Sequence, residues 1–257
     1  MANNITLITL LICFIGGLLV WLYTKRGFVA VLREPAAVQA ISIGVQRATE
    51  MGRPVIYSPG RAGVGLSSAS FQTIASLPIL SHISKLCAEQ GTNLHVGVCN
   101  ATSIPYLEET LRLACIEAGK PEAVGTKQQI FYFSDNTLVF AASYAGHMHR
   151  INAATNMWFG DTGAECLLYA ESGVRIGAFQ VAGIIEALNI CWLPCVCDYF
   201  FLGEEFLTAG ALISKNTEAI NFFYLEDLVK LASVIVLIVG IIAQVALGQP
   251  FAKWLMS

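Results

Sequence analysis

The chain has 257 residues, 55% of them hydrophobic and 13% charged, with a formal net charge of −3 and a mean hydropathy of +0.62. Soluble domains carry roughly 25% charged residues, so this composition excludes a disordered chain, nucleic-acid binding driven by bulk positive charge, and a freely soluble monomer. The expected partners are a lipid bilayer and further copies of the chain.

Residues 5–23 form an uncharged run of about 19 residues, long enough at 1.5 Å per residue to cross a hydrocarbon core of roughly 30 Å. Trp21 and Tyr23 stand at its end, where amphipathic rings favour the membrane interface. A cleaved signal peptide would need a basic start and a small-residue cleavage site. The first four residues carry no basic side chain, and an uncleaved anchor is expected.

From there the pattern alternates. Residues 35–52 read as a helix, with Pro35 at its start, Val38, Ile41, Val45 and Ala48 as one apolar stripe, and Gly52 as its stop. A short strand at 54–57 leads into the loop SPGRAGVGLSS, residues 58–68. Phe71, Ile74, Leu77, Leu80, Ile83 and Leu86 recur at steps of three in a helix that ends at Gly91, with a kink expected at Pro78. A strand over 94–99, a helix over 105–118 stopped by Gly119, a strand over 130–133 and a helix over 138–151 follow. Residues 157–159 lead to Gly160-Asp161-Thr162-Gly163 and a helix through Ala170.

Residues 178–201 are apolar enough to suggest a third span, yet contain Glu186, Pro194 and Asp198. A central carboxylate costs roughly 3 kcal/mol on insertion scales, so a buried helix and strand are expected instead. Strand-like stretches are placed near 177–181 and 191–197, and a last short helix at 204–213. A second uncharged run, 231–247, follows Lys230 and reads as a C-terminal span.

Strands separated by helices of this length imply parallel pairing. The expected fold class is α/β, a three-layer sandwich with a mostly parallel, Rossmann-like sheet, flanked by two transmembrane helices. The domains are an anchor at 1–24, a body at 25–226 and a C-terminal helix and tail at 227–257. Lys25, Arg26 and Arg33 follow the first run and Lys215 and Lys230 precede the second. Basic residues stay on the cytoplasmic side, so a two-pass protein of the cell membrane with a cytoplasmic body is expected. The eight cysteines fall in no spaced disulfide framework, which suits that compartment.

Several segments carry a resemblance: ATEMGRPV (48–55), EAGKPEA (117–123), FSDN and FAASYAGHM within 133–148, NMWFGDTGAECLLYAESG (156–173) and above all CDYFFLGEEFLTAGALIS (197–214). With them the chain resembles a family of bacterial and archaeal membrane proteins described only as a domain of unknown function. The resemblance covers most of residues 35–240. It implies an N-terminal span, an α/β domain and a C-terminal span, and carries no activity.

The best local signal for chemistry is Ser58, Gly60, Arg61, Gly63, Gly65 and Ser67, placed between a strand and a helix. Glycines let backbone approach a ligand, a helix N-terminus offers free N–H groups, and Arg61 can fork onto a phosphate. The G-x-x-G-x-G spacing matches neither the dinucleotide fingerprint nor a Walker loop, and a tight turn capping the helix is the simpler explanation. Asn100, Asp135, Asp161 and Asp198 each fall at or near an expected strand end, where open parallel sheets bind ligands. Asp and Asn also cap the helices that follow strands.

Cys191, Cys195 and Cys197 lack the second pair or the histidines that a zinc site wants and read as core. His147 and His149 point about 200° apart on a helix and cannot share a metal. No cofactor, metal site or catalytic constellation is expected. The leading functional reading is a non-catalytic, membrane-tethered α/β module that self-associates as a scaffold or assembly subunit. The alternative is a sensor or enzyme binding a nucleotide or other small anionic metabolite at 58–68. A channel or transporter subunit is a third, weakened because neither apolar run carries an ionisable residue.

Overall fold

The computed structural model describes residues 32–65, 69–186 and 191–247, with Gly16, Gly17, Leu22 and Lys25 besides. The chain divides into a unit of residues 34–214 and a unit made of 1–33 and 215–257.

The first unit is the α/β body. Its helices are α1 (Ala36–Met51), α2 (Ser70–Gln90), α3 (Ile104–Glu117), α4 (Thr137–Ile151), α5 (Cys166–Arg175), α6 (Leu193–Val196) and α7 (Glu204–Ile213). Its strands are β1 (Val55–Gly60), β2 (Leu94–Val98), β3 (Gln128–Tyr132), β4 (Thr155–Asp161), β5 (Phe179–Ile184) and β6 (Tyr199–Leu202). They form one six-stranded sheet in the order β3-β2-β1-β4-β5-β6, and every neighbouring pair is parallel.

Local chemistry places the boundaries. Gly52 and Gly91 take left-handed backbone conformations and close α1 and α2, where a side chain at Cβ would be strained. Asn152 does the same after α4, as asparagine tolerates better than most residues. The Asn136 side chain accepts from Leu138 N and Val139 N and caps α4. α2 runs through Pro78 as one continuous helix.

Strand alternation sorts the core into two layers. Val55, Tyr57, Met157 and Phe159 pack with α1, α2, α3 and α7 on one face. Ile56 and Trp158 pack with α4, α5 and Leu193 of α6 on the other. The body is therefore a three-layer α/β sandwich, and its sheet is parallel throughout.

Two expectations need correction. Residues 191–197 do not form a strand: they are a turn and α6, and the sixth strand begins at Tyr199. A short apolar run cannot be told from a helical segment by periodicity, and Pro194 sits in the first turn of α6, where proline is tolerated. The flanking transmembrane helices are the larger correction. Among the described residues, no helix is long and apolar enough to cross a membrane.

The second unit's helix is α8 (Thr217–Leu247). Its first half carries Glu218, Glu226, Asp227 and Lys230, with Lys230 on Glu226 at 3.2 Å. The uncharged stretch that follows is at the short end of the roughly 17–25 residues that spanning helices use. The N-terminal run 5–23 lies outside the described residues except for Gly16, Gly17 and Leu22.

Candidate functional site

In an open parallel sheet the ligand crevice lies where strand order reverses, beyond the carboxyl ends of the strands. Here the reversal falls between β1 and β4. Their register slips between Ser58 and Gly60, so that Gly60 faces Asp161. Gly60 has φ +89° and Gly160 φ +133°. A Cβ on Gly60 would strike the Asp161 carbonyl, and one on Gly160 the Pro59 carbonyl. Only glycine lets the two strand ends approach this closely.

The groups expected to receive a ligand are engaged with each other. Arg61 N donates to Asp161 O at 2.8 Å, and its guanidinium Nε donates to Asp161 Oδ2 at 2.9 Å. The same guanidinium reaches Glu165 Oε1 at 3.5 Å. The arginine side chain is 36% exposed and both carboxylates 9%. The hydrogen bond to Asp161 is the main cause that holds the Arg61 pKa above its ordinary value; burial opposes it, and Asp161, Glu165 and Glu186 add attraction.

Some of the described amides are also occupied. Gly60 N donates to Ser58 Oγ at 3.2 Å, Gly65 N to Ser70 Oγ at 3.2 Å and Gly163 N to Glu165 Oε1 at 2.9 Å. Thr73 Oγ1 donates to Ala62 O at 2.8 Å, which fastens the loop to the first turn of α2. Gly63 lies so close over the end of β2 that a Cβ there would meet Asn100 and Thr102.

Ser58, Gly60, Arg61, Gly63, Asn100 and Asp161 thus converge at the reversal, and Gly65 sits on the same loop. Asn100 works as a cap: its Oδ1 accepts from Thr102 N at 3.0 Å and Thr102 Oγ1 at 2.8 Å. Asp135 follows β3, where its carbonyl lies 3.9 Å from Cys99 Sγ. Asp198 lies elsewhere. It precedes β6, and its Oδ2 accepts from Gln180 N at 2.8 Å, at the amino-terminal edge of the sheet. Ser67 lies outside the described residues.

Sequence reasoning missed two features. Glu165, the second carboxylate on Arg61, stands at no strand end and carries no motif. The other is a histidine pair. His95 on β2 and His147 on α4 meet through Nδ1 and Nε2 at 3.0 Å, and Arg150 reaches His147 Nδ1 at 3.0 Å.

Because arginine only donates, His147 Nδ1 accepts. The neutral His147 ring therefore carries its proton on Nε2 and gives it to His95 Nδ1. Phe131 stacks on His95 with ring centroids 5.1 Å apart. Burial, then the His95 and Arg150 charges, push the His147 pKa down to about 4, and burial lowers that of His95. The pair is a neutral packing element near pH 7.

Among the described residues, no group of three or more His, Cys, Asp and Glu side chains is placed to hold a metal ion. Cys191 and Cys195 are exposed, and Cys197 is buried. Burial pushes the thiols of Cys99 and Cys166 up to about 11 and about 12, away from the thiolate form that reacts.

Strand order defines a Rossmann-ordered α/β protein in which Arg61, Asp161 and Glu165 pair with one another at the strand reversal. The chain belongs to the family described as Domain of unknown function (DUF6754), which matches residues 1–255. No curated protein and no solved structure matches the chain.

Proposed function

We propose that the chain is a non-catalytic assembly module that associates with further copies of itself. The observation that carries this reading is the apolar surface of α8, where Leu231, Val234, Ile235, Leu237, Ile238 and Ile241 are each 51–63% exposed. Apolar patches of this kind mark interaction surfaces, and packing against a second copy would cover this one. The mutual pairing of Arg61, Asp161 and Glu165 supports the same reading, because the charged groups at the strand reversal already pair with one another. Attachment to a lipid bilayer is a separate proposal resting on the 5–23 run, and the assembly reading does not depend on it. Association makes the melting temperature rise with protein concentration; a melting temperature that stays constant over a hundredfold dilution series contradicts the reading.

A second reading rests on the strand order, which puts Arg61 at the position where such sheets bind ligands. In it, a nucleotide or sugar phosphate displaces Asp161 and Glu165 from the guanidinium. A phosphate ligand at 100 times its Kd would then stabilise the protein by roughly 2.7 kcal/mol. Arg61→Ala would abolish that shift.

A further inference from the structure

β3 is an edge strand with the sequence Gln-Gln-Ile-Phe-Tyr. It carries no charge, proline or register slip, although native edges are commonly blunted by such devices to prevent pairing with another chain. Backbone direction alternates along a strand. Lys127 O accepts from Leu94 N and Phe133 N donates to Val98 O, so odd residues face β2 and the N–H and C=O groups of Gln128, Ile130 and Tyr132 face outward. Gly125 N already covers the Gln128 carbonyl at 2.9 Å. Ile130 and Tyr132 retain the free edge.

Beside this edge runs a groove of about 630 Å3 between α3 and β3, lined among others by Pro105, Arg112, Val124 and Ile130. Gln128 bonds Ser84 of α2, so the side chains of Gln128, Ile130 and Tyr132 lie on the face that α2 and α3 cover. The Tyr132 side chain therefore projects on the groove's face. It is 46% exposed.

We propose that two copies of the chain join their sheets through antiparallel pairing of β3 edges about a twofold axis at Phe131, each setting Tyr132 against Ile130 at the mouth of the other's groove. This rests on the self-association reading and names one surface for it. The axis at Phe131 matches the outward groups of Ile130 on one protomer with those of Tyr132 on its partner, giving four backbone hydrogen bonds. It also makes two cross-strand pairs of tyrosine with isoleucine, a stabilising combination.

Charge favours the antiparallel sense. Lys127 precedes the strand, its Nζ on Gly91 O at 3.0 Å, and Asp135 follows it, so antiparallel edges bring the cationic end of each strand to the anionic end of its partner and parallel edges would bring like ends together. The other edge, β6, has four residues, and its Leu202 N–H is occupied by Glu205 at 3.4 Å. Pairing β3 with β6 would build an open-ended array, whereas the twofold contact closes.

The test is hydrogen exchange on the full chain combined with light scattering, for the wild type and Tyr132→Lys. In the associated wild type, the Ile130 and Tyr132 amides exchange at least about tenfold more slowly than in the dissociated chain. Tyr132→Lys, an exposed substitution that leaves the circular dichroism unchanged, removes that protection and raises the dissociation constant of this contact at least about tenfold. If the chain associates but these two amides exchange like exposed loop amides at every concentration, or if Tyr132→Lys keeps both protection and mass, the edge pairing is wrong while self-association stands. A wild-type chain that is monomeric throughout overturns both.

Discussion

Removal of the Arg61 guanidinium tests whether the strand reversal is a closed structural element. Arg61→Ala leaves Asp161 and Glu165, each 9% exposed, facing one another without their cation. Deleting one member of a buried ion pair costs roughly 3–5 kcal/mol, and an exposed pair is worth at most about 1 kcal/mol. With the arginine side chain 36% exposed, the pair lies between these limits, and the expected loss is about 2 kcal/mol. For a domain of this size that lowers the melting temperature by about 4–8 °C. Urea unfolding of wild type, Arg61→Ala, Asp161→Asn and the double variant at one protein concentration gives the coupling energy, expected at about 1–2 kcal/mol. A loss below about 0.5 kcal/mol, or a phosphate-dependent stabilisation that vanishes with Arg61, refutes the closed-crevice argument.

Acid should weaken the fold through His147. The folded state favours its neutral ring, with a pKa near 4 against 6.5 in the unfolded chain. The unfolded chain therefore binds the extra proton between these values, and stability present above pH 6.5 is lost as pH falls towards 4, by up to about 3 kcal/mol. Urea midpoints at pH 7.5 and 4.5 measure this, and His147→Asn, which keeps an acceptor for Arg150, should show a smaller difference. Gly160→Ala forces a side chain into a φ of +133° against the Pro59 carbonyl and should cost at least about 2 kcal/mol by denaturant unfolding; a neutral substitution would mean the β1–β4 ends are not so close. Of the seven described cysteines, only Cys191 and Cys195 should alkylate rapidly in the native state, which mass spectrometry after a maleimide pulse reads directly.

What could be read from the chain beforehand was what depends on neighbours in sequence. The helices ending at Gly52 and Gly91 announce themselves by a left-handed stop after an apolar stripe, and the alternation of strands with helices implies a parallel sheet. Arg61 and Asp161 could each be placed at a strand end, because a strand-to-helix turn puts them there. Their pairing could not: they lie 100 positions apart, and it depends on β4 being the neighbour of β1, which no local pattern encodes. The same holds for His95 and His147, 52 positions apart, brought together when α4 packs over β2.

Asp198 was misplaced for a different reason. The apolar run ending at Cys197 looked like the strand itself, so the residue after it looked like a strand exit; α6 occupies that run, and Asp198 leads into β6. The C-terminal run 231–247 is the uncharged second half of one longer helix, α8, whose first half carries Glu218, Glu226, Asp227 and Lys230.

Self-association is tested most directly by the mass of the native particle. Light scattering on the purified full chain over the micromolar range should give at least twice the chain mass of 27.7 kDa, falling towards it only on dilution. A particle of single-chain mass at every concentration would contradict it.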